Sequence, residues 1–150
     1  MYPQQPFYFA HRGGNETAPE NSFQSFMAAY NLGCRYHELD VRVTRDRELL
    51  VFHDATLKRV LGEDIRLESL NSSELHGFVY PNGEKILPLK ELVAGIPEDV
   101  FFNIDPKTDA SAHNLVDFLK KNPQLLPRVA LGTFSTSRIR WIRSQLPNIT

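Results

Sequence analysis

Two carboxylates spaced two residues apart give the first indication of chemistry in this sequence. Glu38 and Asp40 lie in the stretch YHELDVRV, whose alternation of apolar and polar residues predicts a β-strand. Residues i and i+2 of a strand point to the same face, so the two carboxylates lie close together. Such a pair is unfavourable in a poorly hydrated site unless a cation lies between them. The spacing therefore predicts a site for one hard divalent cation.

Further polar residues follow the ends of other short apolar runs. His11 and Arg12 follow FYFA, His53 follows LLVF, and Asp105 and Lys107 follow VFFNI. Carboxylates bind Mg²⁺ or Ca²⁺ through oxygen, and two histidines can divide general-acid and general-base duties. An arginine and a lysine can hold phosphate oxygens, the arginine as a fork and the lysine as a point charge. This combination predicts metal-assisted cleavage of a phosphodiester.

Each of these residues also has an ordinary structural alternative. A single histidine at a strand end is usually a satisfied polar side chain, and Asp105 before Pro106 fits a turn. Glu38 and Asp40 alone would fit the exposed face of an edge strand. Their occurrence together at successive strand ends favours a catalytic site over these alternatives.

The elements that position these residues alternate between strand and helix. The run Phe7–Ala10 predicts a strand buried on both faces, and Asn21 or Ser22 can cap the helix that follows. A polar hairpin turn, Thr44–Glu48, separates the strand of Glu38 from the apolar run that precedes His53. The later predictions are strands over 100–104 and 129–132 and helices over 114–121 and 135–146. This alternation predicts a parallel α/β sheet with its chemistry at the strand ends.

Residues 55–87 interrupt the alternation. They contain two short helical patterns and a turn signal at 80–84, and Pro88 is placed to begin a helix at its first position. We expect a small inserted lobe over the strand ends rather than a separate domain, so that residues 1–150 form one domain.

The composition limits the classes of partner. The chain has 150 residues and a net charge of -1, which gives no electrostatic case for binding nucleic acid or an anionic membrane. No apolar run approaches the roughly 20 residues of a membrane span. The single cysteine, Cys34, excludes an intrachain disulfide, and the N-terminus lacks a signal-peptide pattern. We therefore expect a cytoplasmic protein with a small-molecule substrate.

Three stretches of the chain resemble the glycerophosphodiester phosphodiesterase family: HRGGNETAPENSFQSFMAAYNLG, HELDVRVTRDRELLVFHDATLKR and LPLKELV…FNIDPK. The resemblance extends from about residue 7 to the C-terminus and keeps the family's order of motifs. It implies a (βα)8 TIM-type barrel, of which this chain holds about the first four βα units. It also implies hydrolysis of glycerophosphodiesters to an alcohol and glycerol 3-phosphate with one divalent cation, Mg²⁺ or Ca²⁺.

The resemblance further implies a role for each matching residue. His11 and His53 would be the acid-base pair, and the sequence does not distinguish the acid from the base. A hydroxyl of the substrate would attack phosphorus, and this attack would form a cyclic phosphate. The metal ligands would be Glu38, Asp40 and Asp105, and the phosphate-binding residues would be Arg12 and Lys107. The family more often has glutamate where this chain has Asp105.

Two alternatives remain open from the sequence. A related lysophospholipase D or sphingomyelinase D-like enzyme would use the same histidines and carboxylates, and a non-catalytic domain would bind metal or phosphate without turnover. Four βα units would also leave two open sheet edges and an exposed apolar face. We therefore expect the 150-residue chain to self-associate or to be poorly folded, and to hydrolyse glycerophosphodiesters weakly or not at all.

Overall fold

A six-stranded mixed sheet organises the fold. A computed structural model describes residues 8–14 and 16–150, so Phe7 of the predicted first strand lies outside the described residues. The strands are β1 (Phe9–His11), β2 (Tyr36–Val43), β3 (Leu49–Val51), β4 (Leu87–Pro88), β5 (Phe101–Pro106) and β6 (Val129–Leu131). The α-helices are α1 (Phe23–Asn31), α2 (Lys58–Leu61), α3 (Leu89–Gly95), α4 (Asp109–Lys121) and α5 (Thr136–Gln145). No helix in these described ranges is long and apolar enough to cross a membrane.

Four of the strands run parallel and neighbour one another in chain order. β1 pairs with β2, β2 with β5, and β5 with β6, all in parallel. The other two strands, β3 and β4, pair antiparallel, and β3 joins β2 through the predicted hairpin. β1 and β3 share one edge of β2, because β1 pairs with Tyr36–Glu38 and β3 with Val41–Val43. The sheet therefore forks beside the middle of β2.

β3 separates two apolar clusters, which explains why its sequence is apolar without alternation. Leu49 and Val51 belong to the main core, between the sheet and helices α1, α3, α4 and α5. Leu50 and Phe52 belong to a second cluster inside the segment 55–87. The buried side chains that complete the second cluster are Leu57, Leu67, Leu75, Tyr80 and Ile86.

The segment 55–87 is made of short elements. It contains α2, 3₁₀ helices at Leu67–Ser69 and Ser72–Gly77, and two isolated bridges. An Asn71 capping box begins the second of these 3₁₀ helices, since the side chain of Asn71 and that of Glu74 satisfy each other's backbone N–H groups. The lobe thus owes its shape to caps and to a small apolar cluster rather than to long helices.

The helix boundaries depart from the sequence predictions at two caps. α4 begins at Asp109 rather than at 114, because Thr108 and Ser111 form a capping box ahead of the apolar stripe. Pro88 was predicted as the first residue of α3, and this was wrong: Pro88 has extended backbone and pairs with Leu50 in β4. Of the two predicted caps for α1, Asn21 and Ser22, the structure has Ser22, whose side chain accepts a hydrogen bond from the N–H of Ser25.

The prediction that the first strand is buried on both faces was wrong. Phe9 is 43% exposed and His11 is also exposed, although Phe9 packs edge-on against Tyr36. Among the described strands, β1 has β2 as its one partner. At the other side of the parallel set, the N–H of Leu131 in β6 donates to the carbonyl of Thr150.

Gly13 lies where the loop after β1 passes against α1. Its φ of +79° is in the left-handed region, and a Cβ at this position would overlap Ser25 Oγ and lie 2.9 Å from the backbone nitrogen of Phe26. Gly14 has a similar φ of +76°, but nothing lies within 4 Å of its Cβ position. A substitution at Gly14 therefore tests backbone strain alone, whereas a substitution at Gly13 tests backbone strain together with the clash against α1.

We expect Gly13→Ala to destabilise the chain more than Gly14→Ala. The left-handed backbone costs each alanine about 1–2 kcal/mol, and the clash with α1 adds about 1–3 kcal/mol at residue 13 alone. Urea unfolding of the two variants would measure the difference. Equal losses of stability would mean that the loop moves away from α1 without cost.

Candidate active site

The register of the parallel strands brings the predicted site residues side by side. His11 of β1 lies opposite Glu38 of β2, and Asp40 of β2 lies opposite Asp105 of β5. The two carboxylates on one face of β2 therefore each gain a neighbour from an adjoining strand. His53 arrives differently, because it follows β3, which runs antiparallel to β2.

Asp40 is the most deeply buried carboxylate of the site, with 1% of its surface exposed. Lys107 Nζ lies 2.7 Å from its Oδ1, and Asn21 Nδ2 donates to its Oδ2 at 3.1 Å. Arg12 Nε lies 3.1 Å from the same Oδ2 as an ion pair, although its N–H is not aligned for a hydrogen bond. Two cations and one amide thus compensate this buried charge.

Glu38 has much weaker compensation. Its Oε2 accepts a hydrogen bond from the backbone N–H of Arg12 at 3.1 Å, and His11 Nε2 lies 3.7 Å away, too far for a hydrogen bond. Burial and the neighbouring charge of Asp40 raise the pKa of Glu38 to about 7. The site is therefore short of positive charge at Glu38.

Lys107 joins two carboxylates. Its ammonium group lies 2.6 Å from Asp105 Oδ2 as well as 2.7 Å from Asp40 Oδ1. Burial opposes the charged form, but these two hydrogen bonds outweigh it and raise the pKa of Lys107. Lys107 therefore stays protonated between β2 and β5.

A chain of ion pairs connects this group to His53. The ring nitrogen Nδ1 of His53 lies 2.6 Å from Asp54 Oδ1, and Arg59 Nε lies 2.7 Å from Asp54 Oδ2. Arg59 Nη2 also lies 2.6 Å from Glu20 Oε1, which in turn lies 3.2 Å from Arg12 Nη1. Side-chain contacts thus link five of the predicted site residues: Asp105, Lys107, Asp40, Arg12 and His53. Glu38 joins them through the backbone N–H of Arg12 and lies beside His11.

Sequence reasoning missed three members of this arrangement: Glu20, Asn21 and Arg59. Asn21 was considered only as a helix cap, yet its φ of +58° directs its amide to Asp40. A signal was present, since asparagine tolerates the left-handed region better than most residues. Nothing in the local sequence marks Arg59, whose partners lie 5 and 39 positions away.

The described residues do not contain a closed metal-ligand cluster. No group of three or more His, Cys, Asp or Glu side chains in residues 8–14 and 16–150 is spaced to hold a metal ion. Lys107 stands between Asp40 and Asp105, so the three predicted ligands are neighbours without converging on one point.

A groove among the described residues lies away from this chemistry. It has a volume of about 740 Å³ and lies between α3 and the segment 55–87. A smaller cavity of about 440 Å³ touches His11, Arg12 and Glu20. The contacts of the charged residues, rather than groove size, therefore identify the candidate site.

Solved structures with the same arrangement of elements are TIM-barrel enzymes. A glycerophosphodiester phosphodiesterase of Thermotoga maritima superposes with a TM-score of 0.82 at 27% identity, covering 99% of this chain and 62% of that one. A phosphodiesterase of Oleispira antarctica, solved in complex with the product sn-glycerol-3-phosphate, gives 0.87 at 26% identity, covering 97% and 64%. The fold is thus that of part of such an enzyme's domain.

Sequence comparison agrees with the structural likeness. The profile of the glycerophosphoryl diester phosphodiesterase family matches residues 11–135. A protein of Mycobacterium tuberculosis named "Probable glycerophosphodiester phosphodiesterase 2" is 33% identical over 132 residues, which cover 87% of this chain and 49% of that protein. The chain belongs to the glycerophosphoryl diester phosphodiesterase family. It spans about half to two thirds of the length of these three proteins.

The ion pair between Asp54 and Arg59 predicts a pH dependence of stability. The hydrogen bond from Arg59, followed by that from His53, lowers the pKa of Asp54 from 3.8 to about 2. Because the folded pKa is the lower one, this contribution is fully present above the unfolded pKa and is lost as the pH falls toward 2.

When the pH is lowered from about 5 to about 2.5, we expect the free energy of unfolding to fall less for Asp54→Asn than for the unsubstituted chain. Urea unfolding at both pH values would measure this. Asp64→Asn is the control, because Asp64 is 72% exposed and pairs with Lys58 at 3.4 Å. Parallel pH curves for all three chains would contradict the assignment.

Proposed function

We propose that this chain forms the N-terminal part of a metal-dependent glycerophosphodiester phosphodiesterase, which releases an alcohol and glycerol 3-phosphate. The observation that carries the proposal is the connected set of charged side chains in a member of this family. It runs from Asp105 and Lys107 through Asp40, Arg12 and Glu20 to His53. Acidic, basic and imidazole groups in one place are the parts that phosphodiester hydrolysis needs.

The parallel strands support a place within an eight-unit barrel. β1, β2, β5 and β6 neighbour one another in chain order, as the first four strands of a (βα)8 barrel do. Glu38 and Asp40 lie level with the carboxyl ends of β1 and β5, opposite His11 and Asp105, and the active sites of such barrels are found at the carboxyl ends of the strands. The segment 55–87 would be the inserted lobe beside that face.

The carboxylate oxygens of Glu38, Asp40 and Asp105 are the type of donor that a hard divalent cation such as Mg²⁺ or Ca²⁺ prefers. Glu38 lacks a cationic side chain within ion-pair distance among the described lysines and arginines, and burial together with the charge of Asp40 raises its pKa. Asp40 accepts a hydrogen bond from Asn21 and lies within ion-pair distance of Arg12 and Lys107, which leaves part of its lone-pair capacity. Lys107 engages only Oδ2 of Asp105. Glu38, Asp40 and Asp105 would therefore hold the ion, with Asp105 sharing its carboxylate with Lys107. When bound, the cation supplies Lewis-acid polarisation of a phosphoryl oxygen.

Arg12 and Lys107 suit the binding of phosphate oxygens. Each makes ion pairs at the site, yet Arg12 keeps Nη2 without a partner among the described side chains, and Lys107 keeps one of its three N–H donors. Both side chains are mostly buried, which strengthens their attraction for an anion. They would orient the phosphodiester against the carboxylates.

His11 and His53 would move the protons. Asp54 holds Nδ1 of His53 at 2.6 Å, so that Nε2 is the atom left to exchange a proton with the substrate. His11 has an accessible ring beside Glu38 on the opposite side of β2 from Asp105. One histidine takes a proton from the attacking hydroxyl, and the other protonates the leaving alcohol.

We expect Glu38→Gln to abolish binding of Mg²⁺ or Ca²⁺, because it removes the least compensated carboxylate of the proposed ligand set. Isothermal titration calorimetry of the chain with each metal salt would measure this. Glu91→Gln, an exposed position on α3, is the matched control and should bind as the unsubstituted chain does. Unchanged affinity in Glu38→Gln would remove Glu38 from the ligand set.

We expect His53→Ala to lower kcat for a glycerophosphodiester by roughly 10²–10⁴, the usual contribution of a general acid or base. The KM should change far less, because His53 is not proposed to supply uniform binding. Release of glycerol phosphate would be measured, with the exposed His76→Ala as control. Near-normal turnover in His53→Ala would be incompatible with a proton-transfer role.

A further inference from the structure

Arg59 occupies a position that none of the proposed catalytic roles explains. It lies in α2, within the segment 55–87, and its guanidinium group contacts two carboxylates from different parts of the chain. Nε and Nη2 donate to the two oxygens of Asp54 at 2.7 and 3.0 Å. Nη1 and Nη2 donate to the two oxygens of Glu20 at 3.0 and 2.6 Å. Both contacts are bidentate, the most directional geometry available to an arginine.

The contact with Asp54 fixes the orientation of that carboxylate. Both oxygens of Asp54 are engaged by Arg59, and Oδ1 is also the atom that lies 2.6 Å from His53 Nδ1. Rotation of the carboxylate would break at least one of these hydrogen bonds. Asp54 is therefore held with Oδ1 aimed at the imidazole, and an ionised carboxylate there can only accept, so Nδ1 carries the proton.

The contact with Glu20 extends the same constraint to the other end of the site. Glu20 Oε1 accepts from both Arg59 and Arg12, and the hydrogen bond from Arg59 is the largest cause of the lowered pKa of Glu20. The Glu20 side chain is 14% exposed, so these contacts are shielded from solvent more than a surface ion pair is.

We propose that Arg59 is a positioning residue, which aligns His53 through Asp54 and ties that pair through Glu20 to the Arg12 side of the site. The proposal rests on the proposed function for the role of His53 in proton transfer. The structural part of the proposal is that Arg59 controls the tautomer of His53, and this part can be tested without measuring activity. The inserted segment thereby supplies a residue that acts on the site without touching the substrate.

A purely structural role for Arg59 would give different results. If Arg59 only attached the segment 55–87 to the loop before α1, its loss would lower stability without selectively changing the imidazole of His53. Arg59 is 50% exposed, and the lobe keeps its apolar cluster without it, so the variant is expected to fold. Circular dichroism and urea unfolding would establish this first.

The first test is nitrogen NMR of the chain labelled with [¹⁵N]histidine, with the His53 signals identified by their loss in His53→Gln. In the unsubstituted chain, neutral His53 should carry its proton on Nδ1. Arg59→Gln should shift His53 toward a mixture of both tautomers, and Arg59→Lys should restore the original state only in part, since lysine lacks the planar fork. Lys58→Gln is the control, because Lys58 precedes Arg59 in α2 and, among the residues that the structure describes, forms an ion pair only with Asp64. Identical His53 signals in Arg59→Gln and Lys58→Gln would overturn the proposal.

The second test is kinetic and uses release of glycerol phosphate. We expect Arg59→Gln to lower kcat about 10- to 100-fold, the usual effect of a residue that orients a catalytic partner. Because Arg59 acts through Asp54, the double variant Asp54→Asn/Arg59→Gln should fall within about twofold of Asp54→Asn alone. Fully additive losses would show that Arg59 acts independently of Asp54 and would overturn the proposal. Absence of hydrolysis in the unsubstituted chain would concern the activity of this part of the enzyme and not Arg59, whose role the tautomer measurement decides without turnover.

Discussion

The need to compensate one buried negative charge governs the site. Asp40 is almost fully buried, and an ionised carboxylate in that environment is unstable unless cations and hydrogen-bond donors surround it. Its three partners come from three different connections: Arg12 from the loop after β1, Asn21 from the turn before α1, and Lys107 from the loop after β5. Because all three converge on one carboxylate, the geometry of these connections is determined together.

The same requirement explains an unusual backbone. Arg12 and Asn21 both have positive φ, at 53° and 58°, a backbone conformation that residues other than glycine seldom adopt. In each case the strained residue points a donor at a carboxylate, since the N–H of Arg12 reaches Glu38 and the amide of Asn21 reaches Asp40. Each such residue costs roughly 1–3 kcal/mol, and the hydrogen bonds to buried charges offset it. The strain is not confined to the candidate site, because Arg47, in the hairpin turn between β2 and β3, also has a positive φ of 68°.

The sequence predicted the parts of the fold that depend on local pattern. The α/β alternation, the hairpin after β2 and the Ser22 cap follow from periodicity and side-chain type, and the structure confirms them. The exposure of β1 was mispredicted, because burial depends on which strands lie beside it. The register that sets Asp40 opposite Asp105 and the contacts of Arg59 join distant positions, so no local pattern contains them. The roles of the individual site residues remain predictions.

The fork in the sheet has a consequence for how such a domain can diversify. β1 pairs with the first half of one edge of β2, and β3 pairs with the second half of the same edge. The hairpin and the segment 55–87 are therefore connected to the part of β2 that β1 does not contact. Residues can be added to or removed from this segment without shifting the parallel strands by a single position. The bidentate ion pair between Arg59 and Glu20 limits that freedom, because it requires α2 to lie next to Glu20 whatever the length of the segment. The segment 55–87 can therefore vary in length as long as the contact between Arg59 and Glu20 is kept.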